Sequence, residues 1–202
     1  MLAAWQEAVR RYGLTAPAAD QQAITRWRSD HPECRTFYLS PRGETLTQAG
    51  VIQLAEYDHL ILLCGHYEGV DQRVLDLIID GELSIGDYVL TGGEIAACVV
   101  MDAVFRLLPG VLPNQDAYEK ESHMAGRLEQ AQYTRPVSWM GIEPPDVLLS
   151  GHEAKIEQWQ ASRRLAETLR RRPDLLKDFP PEHDEWRGML EIWTDADDAS
   201  EH

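Results

Sequence analysis

The chain has 202 residues, of which 44% are hydrophobic, and 34 acidic against 19 basic residues give it a net charge of −15. That length holds one full core, or one core with a small satellite domain. The acidity argues against nucleic-acid binding over the whole surface but leaves room for a local basic face. No run approaches the roughly 18 apolar residues that a membrane-spanning helix needs. The N-terminus, MLAAWQEAVRRYG, lacks a basic-then-apolar signal layout, so a cytoplasmic protein is expected. Cys34, Cys64 and Cys98 form no CxxC pair, and the histidines form no HxH or HxxxH pair, so no structural metal is expected. Cys64 and Cys98 sit in apolar runs and read as small packed hydrophobes.

In chain order, residues 2–12 predict a helix with Trp5, Val9 and Tyr12 on one face, ended by Gly13. Gln21 to Trp27 predicts a second helix, and Asp30-His31-Pro32 breaks the chain. Arg35 to Leu39 reads as a strand, closed by a Ser40-Pro41-Arg42-Gly43 turn. Residues 47–56 read as a helix, with Leu46, Val51 and Leu54 inward. Leu60 to Cys64, stopped by Gly65, reads as a buried strand of an α/β sheet. An amphipathic helix follows over 70–79, with Val70, Val74, Leu77 and Ile78 at helical spacing. A second short strand of this central unit is expected around Asp87 to Leu90, running into Thr91-Gly92-Gly93. The apolar stretch Glu94 to Leu108 predicts a helix closed by Pro109-Gly110.

Residues 109–127 are polar and read as a linker that orders on binding. Short apolar patches alternate with prolines from Leu128 to Leu149. A long helix, 153–171, carries Ile156, Trp159, Leu165 and Leu169 on its apolar side and ends before Pro173. A last helix is expected over 182–193, before an acidic tail. The expected organisation is an α/β cofactor domain (1–112), a linker (113–127) and a small helical domain (128–202). Arg163, Arg164, Arg170, Arg171 and Arg172 gather on the long helix; a solvated face and a nucleic-acid contact both remain open readings.

Two glycine-bearing loops, 65–69 and 91–93, each leave an expected strand end and enter a helix. Ligands of open α/β sheets collect at the carboxyl ends of strands. Glycines there expose peptide groups to a ligand, although glycines after strands also serve as plain turns. Neither loop matches GxGxxG or GxxxxGK[ST], so a dinucleotide or NTP is not the obvious ligand. A mainly neutral ligand held by backbone groups fits better, such as an adenosine with an amino-acid tail.

GHYEGVDQR (65–73), IGDYVLTGGE (85–94), RLLPGVL (106–112), YTRP (133–136) and LLSGH (148–152), in this order, resemble the bacterial tRNA (guanine-N1)-methyltransferases. The resemblance covers about Phe37 to Leu176. It implies S-adenosylmethionine-dependent methylation of the guanine just 3′ of the anticodon in tRNA. It implies a trefoil-knotted α/β fold and a homodimer with the active site at the interface, without membrane association. It also implies a magnesium ion, for which no motif is visible. The cofactor walls it implies are Tyr38, Leu39, Ser40 and Pro41; Gly65, Tyr67 and Glu68; and Ile85, Gly86, Asp87, Tyr88, Val89 and Leu90 with Gly92 and Gly93. Tyr38 and Tyr67 could equally be ordinary core aromatics.

Arg106 matches the catalytic arginine, with a helix-end ion pair to Asp102 as the plainer alternative. Glu121 stands where the family usually has the aspartate that takes the N1 proton; its alternative is a solvated linker charge. The tRNA contacts implied are Arg135, then Ser150, Gly151 and His152 at a helix start that can hold a phosphate, with Arg163 and Arg164 on the helix. The family's opening strands and its PYGGGxGM loop have no counterpart, and Met1 to Trp5 corresponds to the helix after that loop. The expectation is a start assigned inside a longer reading frame. A natural truncation that binds cofactor or tRNA without turnover, and a knotted ribosomal-RNA methyltransferase, are the rival readings.

Overall fold

The computed structural model describes residues 1–66, 69–112, 121–124 and 126–190. Tyr67, Glu68 and most of the expected linker lie outside them. The chain divides into two compact units, Met1–Pro113 and Asn114–His202.

The first unit is an α/β layer structure. Its strands β1 (Cys34–Thr45), β2 (His59–Cys64) and β3 (Gly81–Ser84) form a parallel sheet in the order β2-β1-β3. Its helices are α1 (Leu2–Arg11), α2 (Gln21–Asp30), α3 (Gln48–Leu54), α4 (Gln72–Ile78) and α5 (Glu94–Phe105). Strand residues alternate between two helical layers, as a period of two requires. Cys34 and Ile61 pack with Trp5, Val9, Ile24, Trp27 and Ile78 from α1, α2 and α4. Leu39 packs on the opposite side with Val51 and Leu54 of α3 and Ala96, Ala97, Val100 and Val104 of α5. This explains why α5 is apolar around most of its circumference: one side faces the sheet, while Ile95, Val99 and Phe105 remain exposed.

Polar ties fix the layers. The buried Trp5 Nε1–H donates to Thr36 Oγ1 at 2.9 Å. The Asp80 carboxylate, next to β3, accepts from Arg28 (2.8 Å), Arg35 (3.0 Å) and the Thr36 backbone N–H (2.8 Å). Three segments distant in sequence thus meet at one side chain that is only 14% exposed. Asp80→Ala removes the acceptor shared by two guanidinium groups and a backbone donor, with Arg28 keeping the Leu77 and Ile79 carbonyls. It is expected to lower unfolding free energy by about 2–3 kcal/mol, below the full buried-pair value because both arginines keep some water. Denaturant unfolding measures it, with Arg26→Ala at an exposed ion pair as the near-neutral control.

Several expectations are corrected. The strand expected at Asp87–Leu90 lies earlier, at Gly81–Ser84, where Phe37 to Thr45 of β1 provides the pairing partners. Residues 85–90 form a loop instead, because Gly86 turns the backbone to φ +145° and Tyr88, Val89 and Leu90 are exposed. The turn expected at Ser40–Gly43 is a break in register within a continuous strand: Leu39 and Glu44 both align with Leu83. Gly43 permits it, since a Cβ there would lie about 2.5 Å from the β3 backbone at Glu82 and Leu83. Helix α2 runs past Trp27 to Asp30, and α5 stops at Phe105, where Leu107 and Leu108 bond three residues back rather than four. Cys98 is exposed and Cys64 only half-buried, so neither is a fully packed core thiol.

In the second unit, α6 (Asp146–Leu149), α7 (Glu153–Arg171) and α8 (Leu175–Asp178) precede helical residues 183–190. Of the expected apolar side of α7, only Leu165 is fully buried; Ser162 and Thr168 join it in the core. Their hydroxyls donate to carbonyls one turn back, Gln158 O and Arg164 O, which satisfies them inside. Thr168 also accepts from the Leu128 N–H. Gly188 rests against Ser162, where a Cβ would meet its Oγ at 2.7 Å. No helix among the described residues is long and apolar enough to cross a membrane.

Candidate cofactor site

The glycine loops after β2 and before α5 lie side by side. The Gly93 N–H donates to Gly65 O at 3.3 Å, and His66 pairs with Gly92 as an antiparallel bridge. The close approach depends on missing side chains. A Cβ at Gly93 would sit 2.9 Å from Cys64 Cα, and one at Gly65 would sit 2.5 Å from the Tyr38 hydroxyl. Ahead of these loops, at the carboxyl ends of β2 and β3 and the register break of β1, opens a cavity of about 260 Å³.

Its walls come from three segments. Tyr38, Leu39, Ser40 and Pro41 arrive from β1 at its register break. Gly65 comes from the first glycine loop, and Ile85, Gly86, Tyr88, Val89, Leu90, Gly92 and Gly93 from the segment after β3. Twelve of the fifteen cofactor residues expected from sequence therefore line one space. Asp87 is exposed and does not line it. Tyr67 and Glu68 lie outside the described residues. Tyr38 both packs in the core and lines the cavity: its ring packs with Leu63 and Leu75, and its hydroxyl end reaches Gly65.

His66, Gly69, Leu83, Ser84, Thr91 and Ala96 also line the cavity and were missed. Leu83 and Ser84 were hidden by the misplaced strand. Ser84 is buried, and its hydroxyl donates to Gly86 O and accepts the Gly86 N–H, shaping the loop that carries Ile85. His66 was visible within GHYEG, but its partner is 28 residues away: His66 Nε2–H donates to Glu94 Oε1 at 2.5 Å. The Glu94 carboxyl is held below the usual range by its own backbone N–H and by the His66 imidazole. Burial and the nearby Glu94 push the Cys64 thiol up, so no thiolate is offered beside the loops at neutral pH.

No lysine or arginine lines the cavity among the described residues. The walls are backbone groups, hydroxyls and apolar side chains. That donor set suits an adenosine without phosphate, flanked by Ile85 and Leu90, better than a nucleotide. No three His, Cys, Asp or Glu side chains gather to hold an ion among the described residues, so the magnesium implied by the resemblance finds no donor set there.

The expected catalytic pair falls in different units. Arg106 caps the C-terminus of α5, half-buried, its N–H bonded to Asp102 O. Glu121 is half-buried in the second unit, and its carbonyl accepts from the Met124 N–H. The basic cluster divides: Arg170 and Arg171 pair with Glu167, and Arg172 with Asp174. Arg163 instead lies over the Trp159 ring at 5.5 Å, and Arg135 is exposed. At the start of α7, Ser150 Oγ donates to Val147 O and accepts the His152 N–H, while Gly151 adopts φ +69°. The His152 side chain does not cap the helix.

Sheet, loops and cavity define a parallel α/β protein built to hold a small ligand at its strand ends. Residues 14–178 match the model of the family described as tRNA (Guanine-1)-methyltransferase TrmD. The chain is 47% identical over 169 residues to a tRNA (guanine-N(1)-)-methyltransferase of Alkaliphilus metalliredigens, covering 84% of this chain and 68% of that protein. It is 56% identical over 147 residues to the enzyme of the same name from Shouchella clausii, covering 73% and 60%. With the one from Ruminiclostridium cellulolyticum it shares 52% over 146 residues, covering 72% and 63%. The chain belongs to this methyltransferase family, and it spans about 60–68% of the length of these relatives.

Proposed function

We propose that the chain transfers a methyl group from S-adenosylmethionine to N1 of the guanine just 3′ of the anticodon in tRNA, in the cytoplasm. The observation that carries this reading is the cavity, lined by no lysine or arginine among the described residues, formed where two hydrogen-bonded glycine loops meet the register break of β1 and the ends of β2 and β3. When bound, S-adenosylmethionine supplies an electrophilic methyl on a sulfonium. The chain supplies the rest. Backbone groups of the loops would hold the adenine edge, and Ile85 and Leu90, which line the cavity, would flank its faces. Glu121, as a carboxylate, takes the proton from guanine N1. The Arg106 guanidinium stabilises charge gathering on O6 and so favours the deprotonated base. With its proton held on Glu121 and the charge at O6 met by Arg106, guanine N1 would accept the methyl that the bound donor supplies.

In this reading residues 1–112 form a trefoil-knotted cofactor domain, 113–127 a linker and 128–202 a helical tRNA-binding domain. Catalysis needs two copies, one giving the cofactor cavity and the other Glu121. The exposed Ile95, Val99 and Phe105 on α5 support a second copy covering that face. Arg135, Arg163, Arg164 and the uncapped N-terminus of α7 at Ser150-Gly151-His152 support contacts to tRNA phosphates.

The test is methyl transfer to an unmodified tRNA transcript, followed by nucleoside analysis. The reading expects 1-methylguanosine, and none when the guanine 3′ of the anticodon is replaced by adenine. Methyl groups on ribose, on uridine or on ribosomal RNA would overturn it.

A further inference from the structure

The wall of the cavity carries a hydrogen-bonded side-chain pair that the methyl-transfer chemistry above does not use. His66 ends the β2 side and Glu94 opens α5; their side chains meet at 2.5 Å although both are more than half exposed. Exposed pairs ordinarily contribute little to stability. This one sits on a backbone junction, beside the His66–Gly92 bridge and the Gly93 N–H bond to Gly65 O. Gly92 lies beneath it: a Cβ there would fall 2.5 Å from Glu94 Oε2 and 3.0 Å from the His66 ring. The bare glycine is what lets the two side chains close over the junction. His66 and Ala96 both line the cavity, so the pair ties the wall ending β2 to the wall carried by α5.

We infer that His66 and Glu94 form a clasp that fixes the spacing of the two glycine loops and thereby orients the bound methyl donor, acting as positioning residues. This rests on the S-adenosylmethionine reading of the cavity. Breaking either half frees the loops to separate, and breaking both costs less than the sum of the two, because the shared contact is lost in each case. His66→Gln, whose amide reaches the position of Nε2, retains the bond.

The experiment combines calorimetric titration with S-adenosylmethionine and amide exchange of Gly93 without ligand, on the full chain and on His66→Ala, Glu94→Ala, the double variant and His66→Gln. Each alanine variant is expected to bind about tenfold more weakly, the scale of one charge-assisted hydrogen bond. The double variant should lose less than the sum of the singles, His66→Gln should bind nearly as the unsubstituted chain, and melting temperatures should stay within a few degrees. Gly93 should exchange faster in every alanine variant. Unchanged affinity in the alanine variants, or losses that add in the double, overturns the clasp. If the unsubstituted chain itself does not bind, the cofactor reading fails. The clasp is then decided by exchange alone: unchanged Gly93 protection overturns it, and lost protection sustains it.

Discussion

Gly93→Val is expected to abolish measurable S-adenosylmethionine binding, with affinity falling more than about a hundredfold. The reason is steric and local. A Cβ at Gly93 points at the Cα and Cβ of Cys64, at 2.9 and 3.1 Å, and at the Gly65 N at 3.4 Å. Two of those atoms are backbone, so no rotamer relieves the clash. The end of β2 must move from the start of α5, the Gly93 N–H bond to Gly65 O is lost, and the cavity wall opens. Overpacking of this kind costs about 1–3 kcal/mol, so the melting temperature should also fall, by about 2–4 °C per kcal/mol. Gly13→Ala separates the two effects. Gly13 holds φ +80° with nothing within 4 Å, so alanine there strains the backbone without touching the cavity. It should cost about 1 kcal/mol and leave affinity intact. Titration calorimetry and thermal melts of both variants make the comparison.

Glu121→Gln is expected to lower the methyl-transfer rate by about 10²–10⁴-fold, the range attributed to a positioned general base. Glutamine keeps the size and polarity of the side chain but cannot take the N1 proton. Affinity for S-adenosylmethionine should not change, because Glu121 does not line the cavity. Glu121→Asp should keep most of the activity, since a carboxylate remains. Arg106→Ala should lower the rate by about 10²–10³-fold through loss of charge stabilisation, with Arg106→Lys recovering part of it. If Glu121→Gln is as fast as the unsubstituted chain in single-turnover assays, the base lies elsewhere.

What the residues showed in advance follows from local physics. Short apolar runs ended by glycine located β2 and the loop after it, and apolar residues at helical spacing, stopped by Pro173, located α7. The starts of α2, α3 and α4 are capped by Asp20, Thr47 and Asp71, contacts two or three residues long that the reading of apolar spacing did not use. Features that failed depend on partners far along the chain. Strand β3 reads Gly-Glu-Leu-Ser, too short and mixed to show a period; it is a strand because β1 pairs with it. The register break in β1 requires Gly43 to touch β3, a contact no turn composition announces. Ser162 and Thr168 look solvent-facing on a polar helix, yet their hydroxyls are satisfied within it and they join the core. The His66–Glu94 pair, 28 residues apart, is of the same kind.

The most direct measurement is an amide-resolved NMR titration of the full chain with S-adenosylmethionine. The account predicts saturable shifts concentrated at the amides of Gly65, Gly69, Gly86, Gly92 and Gly93, with Ile85 and Leu90 following. Saturable shifts that leave these amides untouched and cluster elsewhere would contradict it.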